Sequence, residues 1–126
     1  MEQKILIVDD EAHIRMLIEQ TLEELEDDGV KFLIAENGEE ALALITKEKP
    51  QLVFLDVMMP KMNGMEVCRR VKKELALTDI YIVLLTAKGQ EVDRLKGQEV
   101  GADVYMTKPF DPEAILNKAR EVLALS

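Results

Sequence analysis

The chain has 126 residues, enough for one ordinary domain and too few for two. Hydrophobic residues make up 48% and charged residues 33%, a globular balance that fits neither a disordered nor a membrane-embedded chain. With 25 Asp and Glu against 16 Lys and Arg, the formal charge is −9. That argues against a sequence-independent grip on nucleic-acid phosphates and suits a cation or a basic protein surface.

Met1-Glu2-Gln3-Lys4 leads into only four apolar residues, too few for a signal-peptide core or a spanning helix, so a cytoplasmic protein is expected. Those four, Ile5 to Val8, are predicted as the first strand, followed by Asp9 and Asp10. Ile14, Leu17, Ile18, Leu22 and Leu25 then fall at helical spacing on one face. Phe32 to Ala35 is the second strand, and Ala41, Leu42 and Ile45 mark the second helix. Leu52 to Leu55 is the third strand and ends in Asp56.

Met65, Cys68, Val71 and Leu75 predict a third helix. Its Cys68 cannot form an internal disulfide, being the single cysteine, and is read as a small buried hydrophobe rather than a nucleophile or metal ligand. Ile80 to Leu85 is the fourth strand, ending in Thr86-Ala87. The stretch 90–100 is a weak fourth helix, carried by Val92, Leu95 and Val100 and interrupted by Gly97. A mid-helix glycine costs about 1 kcal/mol relative to alanine. Val104 to Met106, the fifth run, is short and reads as an edge strand, ending in Thr107-Lys108-Pro109. Asp111-Pro112-Glu113 is an N-cap, first position and acidic first turn for a last helix burying Ile115, Leu116, Ala119, Val122 and Leu123.

Continuous apolar strands alternating with helices predict one α/β domain over residues 1–126, a doubly wound five-stranded parallel sheet with five helices. In such a sheet all strands point one way, and ligands bind at their carboxyl ends where the strand order reverses. Asp9, Asp10, Asp56, Thr86 and Lys108 therefore converge on one edge. Three carboxylates there repel one another, and a hard divalent cation such as Mg²⁺ removes the conflict. A carboxylate held rigidly at a strand end, as Asp56 is, can act as a nucleophile toward a phosphoryl group. The charge on the transferring group then needs a cation, a hydroxyl and an amine around it. His13 is read as a solvated helix residue.

Ile5-Leu-Ile-Val-Asp-Asp10, Val53-Phe-Leu-Asp56, Met58-Met-Pro60 with Gly64, Leu84-Leu-Thr-Ala87, Gly101-Ala102 and Tyr105-Met-Thr-Lys-Pro109 resemble, in this order and spacing, the receiver domain of two-component response regulators. The resemblance covers the whole chain. It implies the flavodoxin-like fold with strand order 2-1-3-4-5. It also implies that Asp56 is the phosphoacceptor, taking a phosphoryl group from a sensor histidine kinase or phosphotransfer protein. Asp10, Asp56 and the Met58 backbone carbonyl would bind Mg²⁺ (or Mn²⁺) directly, and Asp9 largely through water. Thr86 and Lys108 would contact the phosphoryl oxygens, with a cis peptide at Lys108–Pro109. Thr86 and Tyr105 would form the switch, altering a surface of the fourth helix, fifth strand and fifth helix that meets an output domain or target protein. Met58 and Lys88 occupy the positions that tune phosphoryl lifetime, and an apolar Met58 predicts slow self-dephosphorylation.

On this reading the chain is a signalling switch rather than an enzyme, without direct contact to nucleic acid or membrane. Receivers attached to winged-helix DNA-binding domains dimerise through charged pairs on the switch face. Here Asp103 with Lys118 can supply one pair, but Arg94 faces Ala114, and Val104 with Leu125 replaces the third. That speaks against the winged-helix type of dimer and leaves another phosphorylation-dependent homodimer open. His13, Arg15, Met16, Glu19 and Gln20 are candidates for the kinase-facing surface. Two alternatives are an aspartate-nucleophile phosphohydrolase, which wants an Asp where Met58 stands, and a phosphorylation-independent receiver scaffold.

Overall fold

The computed structural model describes residues 2–87 and 99–124. Five parallel strands, β1 (Lys4–Val8), β2 (Lys31–Ala35), β3 (Leu52–Asp56), β4 (Tyr81–Ala87) and β5 (Val104–Lys108), form one sheet in the order β2-β1-β3-β4-β5. The order reverses between β1 and β3, as expected. β5 is indeed an edge strand, with β2 at the other edge.

Every strand residue from Ile5 to Val8 and from Leu52 to Leu55 is fully buried, because helices cover both faces. Alternation divides these side chains between two cores. Leu6, Val8, Val53, Leu55, Ile82 and Leu84 pack beneath helices α2 (Gly38–Glu48) and α3 (Gly64–Arg69). Ile5, Ile7, Leu52, Phe54, Val83 and Leu85 pack beneath α1 (Ala12–Thr21) and the last helix (Pro112–Val122). Each large side chain so buried contributes roughly 1.5–3 kcal/mol of transfer free energy. Cys68 belongs to the first core, where burial pushes its thiol up to about 12.

The helix starts carry local signals. Asn37 and Asn63 accept hydrogen bonds from the backbone N–H of Glu40 and Glu66, and Asp111 caps the last helix through Glu113 N–H. Gly64 opens α3 where there is no room for a side chain, since a Cβ would lie 2.2 Å from the Asp56 carbonyl oxygen. α3 is thereby seated against the end of β3.

Several expectations need correction. The first helix ends at Thr21, Leu22 is buried at the junction that follows and Leu25 from a 3₁₀ turn over Glu23–Asp28; Leu17 stays 43% exposed. Past Arg69, α3 continues as a π turn over Arg70–Glu74, in which Leu75 N–H bonds to the Arg70 carbonyl five residues back. The extra residue per turn swings Leu75 outward, against its expected place in the core. β4 and β5 each run two residues further than their apolar runs, so Thr86 and Lys108 are themselves strand residues. The expected fourth helix, apart from Glu99 and Val100, which are helical, lies outside the described residues, as do Lys88, Arg94 and Leu125.

Asp103 and Lys118 each have a partner within the chain. Asp103 Oδ2 lies 2.8 Å from Lys72 Nζ and accepts from Ile82 N–H, while Lys118 pairs with Glu121 and rests over the Tyr81 ring. Lys72 is drawn inward because its ammonium also donates to the Ile80 carbonyl at 2.6 Å.

Candidate functional site

Strand register assembles the carboxyl edge. Val8 pairs with Leu55, so the next step sets Asp9 beside Asp56; Asp56 pairs with Leu85, and Leu85 with Met106. Parity then sorts the polar residues. Asp9, Asp56 and Lys108 continue the alternation of Ile7, Phe54 and Met106 toward the α1 side. Thr86 follows Leu84 toward the α2–α3 side, as does Tyr105. Acid pair and lysine thus share one face, threonine and tyrosine the other.

Among the described residues, Asp9, Asp56 and Thr86 are the buried polar ones, at 0%, 4% and 3% exposure. Lys108 Nζ bridges the two acids, 2.8 Å from Asp9 Oδ2 and 3.0 Å from Asp56 Oδ1. Asp9 Oδ1 accepts from Glu11 N–H at 2.9 Å. The peptide bond between Lys108 and Pro109 is cis.

Burial and the neighbouring Asp9 push the Asp56 carboxyl up to about 6, against the opposing pull of Lys108. Burial opposes the Lys108 charge, yet its hydrogen bonds to Asp9 and Asp56 outweigh that and hold the ammonium above its ordinary value. The pocket therefore carries more negative charge than its lysine neutralises.

Asp9, Asp10 and Glu11 bring carboxylate oxygens within 4.8 Å of one another. Oxygen donors in a partly buried, over-negative pocket fit a hard divalent cation, so the residues present suit Mg²⁺. Glu11, not singled out from the sequence, joins this cluster as the third consecutive acid leaving the first strand. Met58 is 62% exposed, with its side chain turned to solvent. Tyr105 is half-buried against the α2–α3 core, with Leu84 as its register partner and Thr86 two residues beyond on the same face. Among the kinase-facing candidates, His13 and Met16 are exposed, but the Arg15 side chain is only 14% exposed and turned inward.

A five-stranded doubly wound sheet with paired acids at its switch point and a threonine and a lysine further along the same carboxyl edge defines a class of phosphorylation-controlled signalling domain. The match of residues 5–120 to the response regulator receiver domain places the chain in that family. It is 47% identical over 119 residues to the phosphate regulon transcriptional regulatory protein PhoB of Pseudomonas aeruginosa, covering 94% of this chain and 51% of that protein. It is 43% identical over 126 residues to the alkaline phosphatase synthesis transcriptional regulatory protein PhoP of Bacillus subtilis, covering 100% and 50%. The chain thus spans about half the length of these relatives. The BeF3-activated receiver domain of DrrB superposes with a TM-score of 0.84 at 35% identity, covering 98% of this chain and 99% of that one. Among the described residues, no helix is long and apolar enough to cross a membrane.

Proposed function

We propose that Asp56 is the phosphoacceptor of a two-component switch, with Mg²⁺ held by Asp10, Asp56 and the Met58 carbonyl and steadied by Asp9. The observation that carries this is the buried Asp56 carboxyl, raised to about 6 and bridged to Asp9 by Lys108. A carboxylate of raised basicity is a better nucleophile and is still ionised at neutral pH. An Asp56 oxygen attacks phosphorus, the bond from phosphorus to the donor's phosphohistidine nitrogen breaks, and an acyl phosphate forms. Lys108 then exchanges its carboxylate contacts for the incoming phosphoryl oxygens, and the Thr86 hydroxyl donates to another. Bound Mg²⁺ supplies charge neutralisation between carboxylates and phosphoryl group.

The shared face of Thr86 and Tyr105 supports a switch in which movement of the threonine frees space for the ring. The partner supplying phosphate is a histidine kinase or phosphotransfer protein. The output is a domain or target protein meeting the surface around β5 and the last helix. The chain works in the cytoplasm and turns over its own acyl phosphate slowly, without the cycle of a phosphohydrolase. The scaffold alternative is disfavoured because the acids, threonine and lysine are all present.

Intact mass after incubation with acetyl phosphate tests this. One phosphoryl group should be gained, only with Mg²⁺ and not in Asp56→Asn. No gain under any condition refutes the assignment, and steady consumption of donor without accumulated label favours the hydrolase.

A further inference from the structure

Arg15 differs from its neighbours on α1. The His13 side chain is 74% exposed and Met16 58%, whereas the Arg15 side chain is 14% exposed. A guanidinium folded against the protein must find acceptors there. Its Nη1 donates to the Asp9 backbone carbonyl at 2.6 Å, while Nη2 lies 3.5 Å from Glu36 Oε1. The second contact is long and its carboxylate largely solvated, so it contributes little. The short, charge-assisted bond to the carbonyl is the one that matters.

That carbonyl belongs to the peptide joining Asp9 to Asp10. A peptide unit is planar, so fixing its oxygen fixes the direction in which the Asp10 Cα leaves. Asp9 is already held three ways: N–H to the Ala35 carbonyl, Oδ1 from Glu11 N–H, and Oδ2 from Lys108. Asp10 is exposed, and the peptide before it is the one Arg15 grips. We infer that Arg15 is a positioning residue for the metal-binding acids, setting the Asp9–Asp10 peptide so that Asp10 meets the cation together with Asp56. This rests on reading the pocket as a Mg²⁺-dependent phosphoacceptor site.

Two effects of Arg15 on a bound cation oppose each other, which makes the sign of a substitution informative. Its positive charge repels Mg²⁺, so charge alone predicts tighter binding in Arg15→Met. Its hydrogen bond preorganises a ligand, so positioning predicts weaker binding. Losing a group that orients metal ligands weakens affinity by about 10- to 100-fold, which exceeds the screened gain from removing one charge near the surface. Arg15→Lys keeps the charge and one donor able to reach the Asp9 carbonyl but loses the rigid planar fork, so it retains part of the positioning and falls between wild type and Arg15→Met.

Calorimetric titration of Mg²⁺ into wild type, Arg15→Met and Arg15→Lys, with urea unfolding in EDTA as the fold control, reads this directly. Arg15→Met should bind about tenfold more weakly. The half-saturating Mg²⁺ for acetyl phosphate labelling should rise in parallel, while labelling at saturating Mg²⁺ stays near wild type. Should Arg15→Met not fold, Arg15→Lys carries the comparison and should still bind several-fold more weakly. A folded variant binding Mg²⁺ as tightly as wild type, or more tightly, overturns the positioning role. Wild type taking up no Mg²⁺ overturns the functional reading instead, and the inference with it.

Discussion

Replacing Asp56 by asparagine is expected to stabilise the metal-free domain at neutral pH. The folded carboxyl titrates at about 6 rather than 3.8, so the native state holds its proton more tightly than the unfolded chain. The stability tied to this group is therefore complete below pH 4 and is lost as pH rises through about 6. At 1.36 kcal/mol per pKa unit, the ionised carboxylate costs about 3 kcal/mol at pH 8 and about 1 kcal/mol at pH 4.5. Asparagine has the shape of the acid without its charge, and Lys108 keeps its 2.8 Å contact with Asp9, so the ammonium is not stranded. Urea unfolding of both proteins in EDTA at the two pH values measures the difference at equal slope. Saturating Mg²⁺ should then stabilise wild type far more than the variant, by mass action on the native state. An Asp56→Asn protein no more stable than wild type at pH 8, or a gap that widens toward acid, would refute the account of burial and Asp9 repulsion.

Lys108→Met should remove the cation between the two acids and raise the Asp56 carboxyl further, above 6, as read by carbon NMR of the side chain; an unchanged titration would mean the bridge is weak. Gly64→Ala should cost about 3 kcal/mol, because the new Cβ meets the Asp56 carbonyl at 2.2 Å and backbone must shift to admit it; a cost under 1 kcal/mol in urea unfolding would show the junction to be pliable. Ala76, exposed at φ 51°, should tolerate Gly with a gain of about 0.5 kcal/mol, and a loss of stability would contradict the strain assigned to it. Met58→Asn should shorten the acyl-phosphate lifetime in a decay assay by offering water a partner, and an unchanged lifetime removes Met58 from that role.

The polar edge was legible because parallel strands obey simple rules. Apolar runs located five strands and the fold rule put their ends on one edge, whereas the common face of Asp9, Asp56 and Lys108 came only from the strand register. What escaped depends on backbone geometry that residue type does not encode. Helical spacing treated Leu75 as a core position, but a π turn after Arg69 changed the phase, and Leu17, within α1 itself, sits at the margin of the buried face and stays exposed. Arg15 looked like a surface residue because arginines usually are, and only the position of the Asp9 carbonyl turns it inward. The inward turn of Lys72 onto Asp103 was equally hidden, because it depends on where the Thr78 and Ile80 carbonyls lie.

The seating of α3 has a practical consequence. At one end Gly64 abuts the Asp56 carbonyl, and at the other Lys72 is clamped to Asp103 and Ile80. A helix pinned at both extremities behaves as a strut spanning the sheet from its reactive edge to its opposite margin. A spin label or fluorophore at exposed Lys73 or Glu74 is therefore a fixed datum, from which displacements elsewhere in the domain can be measured as distances.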